Sequence, residues 1–158
     1  MTTNFKRRFF LKGSLAAGTV GAAIGAGLFI PKTGFASWPK AAFTAKNIDD
    51  ALGAAMNGSQ TASSDAIKIK APDIAENGAV VPVSVKADIK DVESIAILYA
   101  GNASPLAASF NLGPGSVPDV STRIKMAKTG DLVAVVKANG KLLSSRKPVK
   151  VTIGGCGG

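Results

Sequence analysis

The 158-residue sequence contains no histidine, a single cysteine and few aromatic residues. Without histidine it lacks the commonest general base and the commonest metal ligand, which argues against a hydrolase of the usual triad kind and against a zinc site. A lone cysteine cannot form a disulfide within its own chain. Phe110 is the last aromatic residue, so the basic final stretch has no rings on which nucleobases could stack. That stretch, residues 123–158, carries eight cations against Asp131 alone. A small anion or an acidic partner protein suits it better than nucleic acid. No cofactor and no metal are expected.

The front of the chain lacks acidic residues. Lys6, Arg7, Arg8, Lys12 and Lys32 fall in the first 32 residues with no carboxylate among them. Arg7-Arg8-Phe9-Phe10-Leu11-Lys12 matches the twin-arginine export pattern R-R-x-F-L-K, with Lys6 where serine or threonine is commoner. The apolar run from Gly13 to Ile30 is diluted by five glycines. It falls short of the roughly 20 strongly apolar residues of a stable membrane span. Gly34-Phe35-Ala36 offers small residues to a signal peptidase, so cleavage after Ala36 is expected. Residues 1–36 then form an export signal in contact with the membrane only during export, and the destination is the periplasm. An uncleaved anchor is the alternative.

Residues 37–65 read as a short N-terminal helix and a polar linker. In NIDDALGAAMNG, Ile48, Leu52, Ala55 and Met56 share one helical face, Asn47 caps the start, and Asn57-Gly58 ends it. From Ile67 the period changes to two. Alternating or apolar runs cover Ile67–Ile69, Val81–Val85, Ile95–Tyr99, Leu106–Leu112, Val120–Met126, Leu132–Ala138, Lys141–Ser145 and Val149–Ile153. Asn139-Gly140 between two such runs marks a type I′ hairpin. With no second helix long enough for a crossover, residues 66–153 predict an all-β fold, an immunoglobulin-like antiparallel β-sandwich; a small closed barrel is the rival. The Ala79–Lys86 and Ile95–Tyr99 runs are apolar enough to predict an interface with another subunit.

The chain ends Val-Lys-Val-Thr-Ile-Gly-Gly-Cys-Gly-Gly. Alternation holds the strand in the fold to about Ile153. Beyond it, Gly154 and Gly155 form a hinge and Gly157 and Gly158 leave nothing bulky past the thiol. Extended, Ile153 to Cys156 spans on the order of 10 Å. That is enough to hand the sulfur of Cys156 into a narrow cleft of another protein. Lys147 and Lys150 are positioned by sequence to steer an anionic substrate toward it.

The GGCGG ending resembles that of the SoxY family, the sulfur-carrier subunits of the bacterial Sox system. IKIKAPDIAENGAVVPVSV (67–85), STRIKMAKTGDLVAVV (121–136), KPVKVTIGGCGG (147–158) and the twin-arginine leader are similar to that family as well. GNASP, residues 101–105, departs from the family pattern in one loop. The resemblance implies an immunoglobulin-like domain that pairs with a SoxZ-type subunit as a heterodimer. It also implies that Cys156 accepts thiosulfate-derived sulfur as a covalent adduct. A c-type cytochrome complex, a sulfate-releasing hydrolase and in some systems a sulfur dehydrogenase act on that adduct. The chain is then a non-catalytic carrier. A scaffold subunit with no covalent role is the alternative; a thiol oxidoreductase would need a resolving cysteine or a base, and the sequence has neither.

Overall fold

The computed structural model describes residues 39–152. Helix α1 (Lys40–Thr44) and helix α2 (Ile48–Met56) come first. The Asn47 side chain accepts a hydrogen bond from the Asp50 amide at 2.8 Å, while Asp49 and Asp50 occupy the positive end of the helix. Asn57 takes the left-handed conformation, φ 57°, and its amide donates to the Gly53 carbonyl, which stops the helix.

Nine strands follow: β1 (Ala62–Ser63), β2 (Ile67–Lys70), β3 (Ile74–Ala75), β4 (Val81–Ala87), β5 (Val92–Tyr99), β6 (Leu106–Asn111), β7 (Asp119–Ile124), β8 (Gly130–Ala138) and β9 (Lys141–Val151). They form a larger sheet in the order β1-β9-β8-β5-β6, with β3 also on β9, and a smaller sheet in the order β2-β4-β7. The two sheets stack as an immunoglobulin-like sandwich. Val81, Val83 and Val85 of β4 pack with Ile95, Ile97 and Tyr99 of β5 and with Leu132, Ala134 and Val136 of β8.

The larger sheet is covered on its other face too. Ala96, Leu98, Leu106, Val133 and Val135 pack beneath Ala42 of α1 and Ala51, Leu52 and Met56 of α2. Double coverage is why β5 and β8 read as continuous apolar runs rather than alternating ones. It also removes the Ile95–Tyr99 run from the expected interface, and of the Ala79–Lys86 run it removes the inward valines. Ile95 to Tyr99 are all fully buried, and the inward valines of β4 are consumed by the chain's own core.

Two further expectations are corrected. Lys141–Ser145 and Val149–Ile153 do not form separate strands: β9 runs unbroken for 11 residues, through Pro148. Proline lacks an N–H, so it survives in a strand only where no ladder donor is needed. The amides of Lys150 and Thr152 point to β3, donating to the carbonyls of Asp73 and Ala75. By alternation, position 148 faces the same side, in the gap after β1 ends and before β3 begins. Second, the Ser59–Asp65 stretch read as a loop contributes β1. Both β1 and β3 pair parallel with β9, so the sandwich is antiparallel except along that edge. The hairpin turn has φ 50° at Asn139 and 70° at Gly140, the two positive values a type I′ turn requires. Among the described residues, no helix is long and apolar enough to cross a membrane.

Both faces of the larger sheet being covered, the outer face of the smaller sheet is open. It presents Lys68 and Lys70 of β2, Pro82, Ser84 and Lys86 of β4, and Asp119, Ser121 and Arg123 of β7. Lys68 stands directly opposite Lys86 in the ladder. Like charges so placed repel. Lys68→Glu converts the pair to opposite charges and is expected to raise stability by a few tenths of a kcal/mol at low salt. Urea unfolding of both proteins at low and high ionic strength measures this, and the gain shrinks as salt is added.

Candidate functional site

Cys156, Gly154, Gly155, Gly157 and Gly158 lie outside the described residues, as do Arg7 and Arg8. What the structure describes is the base from which the glycine segment departs, the last turn of ladder on β9. That base is held from both sides. On one side β8 pairs along all but the last two residues of the strand, from Ala138 opposite Lys141 to Gly130 opposite Val149. On the other, the Lys150 amide donates to the Asp73 carbonyl at 2.9 Å and the Thr152 amide to the Ala75 carbonyl at 3.0 Å.

Beyond Gly130 a side chain takes over from the β8 backbone. The Thr129 hydroxyl oxygen accepts from the Val151 amide at 2.9 Å and donates to the Val151 carbonyl at 3.3 Å. One hydroxyl thus supplies both halves of a ladder pair and extends the grip on β9 beyond Val149. Thr129 is itself placed by its neighbours. The buried Tyr99 hydroxyl donates to the Lys128 carbonyl. Asn102 donates to the Lys125 carbonyl at 2.7 Å and accepts from the Ala127 amide at 3.2 Å. Asn102 belongs to GNASP, so the loop that departs from the family pattern anchors the connection between β7 and β8.

Below Val151 the turn between β3 and β4 comes close. The Met126 amide donates to the Gly78 carbonyl at 2.7 Å, and a Cβ on Gly78 would collide with the Met126 carbonyl and the Val151 side chain. Only glycine permits that approach.

Lys147 and Lys150 differ in a way spacing could not show. Lys147 is not a free cation: its ammonium lies 2.7 Å from Asp73 Oδ1. The hydrogen bond from Lys147, then its charge, hold the Asp73 carboxyl below the ordinary carboxylate range, against a weaker opposing effect of burial. Lys150 is exposed and makes no ion pair among the described residues. Of the two lysines expected to steer an anion, Lys150 is the one that no acid holds among the described residues. Sequence periodicity missed Thr129, Gly78, Asn102 and Asp73, because each acts through a contact with a distant segment. Among the described residues no cluster of ligating side chains could hold a metal ion.

The family model for "Sulfur oxidation protein SoxY" matches residues 53–156, a segment that ends on the cysteine. The solved sulfur carrier protein SoxY from Chlorobium limicola f thiosulfatophilum is similar at 50% identity. That match covers 66% of this chain and 96% of that one, with a TM-score of 0.61. Two more distant structures also match. One is the CARDB domain of a Pyrococcus furiosus protein, solved in complex with di-metal ions (15% identity, 54% of this chain, 85% of that one, TM-score 0.36). The other is the PmoD soluble domain from a Methylocystis species (11% identity, 54% and 90%, TM-score 0.37). Neither carries weight here. No curated protein sequence matches the chain.

Two outcomes test the base. Thr129→Val keeps the shape and removes both hydrogen bonds, so the Val151 amide is expected to exchange with solvent at least tenfold faster; Thr129→Ser retains protection. The cost to global stability is about 0.5–1 kcal/mol, measured by urea unfolding. The Asp73 carboxyl, followed by NMR, titrates below the ordinary value of about 3.9 in the parent and returns to it in Lys147→Met. Because the folded pKa is depressed, the bridge stabilises above the ordinary carboxylate pKa and is lost as pH falls through the folded one.

Proposed function

Because the chain belongs to the SoxY family of sulfur oxidation proteins, we propose that it is a non-catalytic periplasmic carrier whose Cys156 holds thiosulfate-derived sulfur covalently and presents it to partner enzymes. The observation that carries this reading is the grip on β9: ladder bonds on both sides up to Thr152, followed in sequence by Ile153 and then Gly154-Gly155-Cys156-Gly157-Gly158. A tether is useful when its base is fixed and its length is bare. Three residues, Ile153, Gly154 and Gly155, separate Thr152 from Cys156, and the four steps span on the order of 13 Å when extended. Glycines leave that span narrow enough to thread a cleft.

The chemistry follows from the sulfur. The Cys156 thiolate and the outer sulfur of thiosulfate are both nucleophiles, so joining them as Cys–S–S–SO3⁻ releases two electrons. The carrier has no redox group, and the oxidant is a c-type cytochrome partner. Hydrolysis of the adduct consumes one water, releases sulfate and leaves a persulfide on Cys156 without net oxidation; a second enzyme does this. The exposed Lys150 at the base favours the approach of the sulfur dianion and softens the repulsion between it and the thiolate. Export through the twin-arginine leader, with Arg7 and Arg8 as its mark, brings the folded chain to the periplasm, paired with a SoxZ-type subunit.

Intact-mass measurement after incubation with thiosulfate and the cytochrome partner is expected to show sulfur adducts in the parent and none in Cys156→Ser. Adducts that persist in the serine variant overturn the carrier. Gly155→Val is expected to accept the adduct normally while its hydrolysis slows by an order of magnitude, because the added side chain obstructs entry and not loading. Equal hydrolysis rates would remove the threading arm from the account.

A further inference from the structure

The open face of the smaller sheet is the remaining strongly charged surface that neither the core nor the arm base uses. Its side chains fall into rows set by the ladder. Lys68, Lys86 and Asp119 form one row, Lys70, Ser84 and Ser121 the next, and Pro82 and Arg123 the third. Four cations thus stand on this face with one acid. Among the described residues the ion pairs are Lys137–Glu93 and Lys147–Asp73, so none of the four is held in one, and Asp119 opposite Lys86 offsets only part of their charge. The centre is small and flat, with the Ser121 hydroxyl donating to Ser84 at 2.8 Å.

The face has a direction. Asp119 lies in the row farthest from the end of β9, and the row nearest that end carries Arg123, with Lys125 two residues on. Past that row, the Met126 amide meets Gly78, against which Val151 packs. Round the β2 edge a shallow groove lined by Lys68, Ile69, Arg146 and Lys147 carries the positive surface onto β9 itself, with Asp65 at its border. Asp73 is occupied by Lys147, and Glu76 is the exposed acid next to the base.

We propose that this face is a docking surface for an acidic protein surface, the rim of the site in a partner enzyme that receives the glycine arm. The inference rests on the carrier reading for the identity of that partner. Asp119 stands opposite Lys86, whereas Lys68, Lys70 and Arg123 have no acid opposite them in the ladder, and the net positive charge this leaves is what complementarity to an acidic partner requires. A protein is favoured over other polyanions by what the face lacks. Its strands carry no aromatic ring to stack on bases, and the exposed apolar side chains that border it, Val80 and Val117, lie singly at opposite ends rather than as a patch that could insert into a lipid surface. A flat open sheet cannot enclose a small anion.

The test uses the full chain and the exposed substitutions Lys70→Glu, Lys86→Glu and Arg123→Glu combined, with Lys46→Glu before helix α2 as control. Lysine-reactive footprinting with poly-L-glutamate at low salt is expected to protect Lys68, Lys70 and Lys86 selectively in the parent. With adduct-loaded protein, the triple variant is expected to lower the partner hydrolase's kcat/KM about tenfold at low ionic strength, leave kcat unchanged, and lose the difference in high salt. Lys46→Glu behaves as the parent. Equal kcat/KM for triple variant and parent at every salt overturns the proposal. So does protection spread over other lysines, or protection of this face by phosphatidylglycerol vesicles and not by poly-L-glutamate. If Cys156 takes no adduct, the carrier reading falls alone, since the footprint of Cys156→Ser still decides whether the face binds an acidic polypeptide.

Discussion

The structure turns on β9 being an interior strand. A strand at a sheet edge frays, because one row of its backbone groups answers only to water. Here β8 holds one side as far as Val149, and β1 and β3, two residues each, hold the other side towards the two ends. The two short strands have no core of their own and exist as partners for β9. Thr129 and the Ala75 carbonyl close the arrangement at Val151 and Thr152. A tether delivers its cargo at an effective concentration fixed by the length and the anchor of the leash. Fraying of two residues would add about 7 Å to a reach on the order of 13 Å, so the clamp and the arm are one device.

The same sheet bears on the proposed docking face. Burying both faces of β5 and β8 gives a small domain a core on each side, and it leaves those apolar runs unavailable to any other chain. Recognition then has to use polar surface. Charged surface confers specificity and fast encounter more than affinity, which suits a carrier that must leave each enzyme after one step. The lysines of the open face cost the fold a little stability and favour transient association.

Local patterns were legible from sequence, and long-range ones were not. Alternation at Val81, Val83 and Val85 and the Asn139-Gly140 turn are properties of neighbouring residues, so β4 and the β8–β9 hairpin could be read directly. The continuous run at Ile95–Tyr99 marked an apolar strand, though not that the chain's own elements lay on either side of it. β1 and β3 could not be seen, since two residues carry no period and their pairing with β9 spans roughly 75–80 positions. Pro148 misled for the opposite reason: it is a local strand breaker rescued by a distant gap. Lys147 looked like a free cation until Asp73, 74 positions away, was found against it. At the site, the glycines and Cys156 were conspicuous by composition alone, whereas Thr129 and Gly78 have ordinary surroundings and matter only for what they touch.

A sequence without histidine, with one thiol, lacks the commonest general base and has no second sulfur to resolve a disulfide. On the proposed carrier reading, bonds made or broken at Cys156 are completed by groups belonging to other proteins, and the electrons released on loading leave through them. Arrival of the sulfur in the right place then matters to the rate beside its intrinsic reactivity. Three features of this chain bear on arrival: a base that does not move, a leash without side chains, and an unpaired cationic face beside the base. Substitutions that weaken any of them act on encounter and leave the chemical step of the partner intact. That separates presentation from chemistry by the form of the kinetics, a loss in kcat/KM without a loss in kcat.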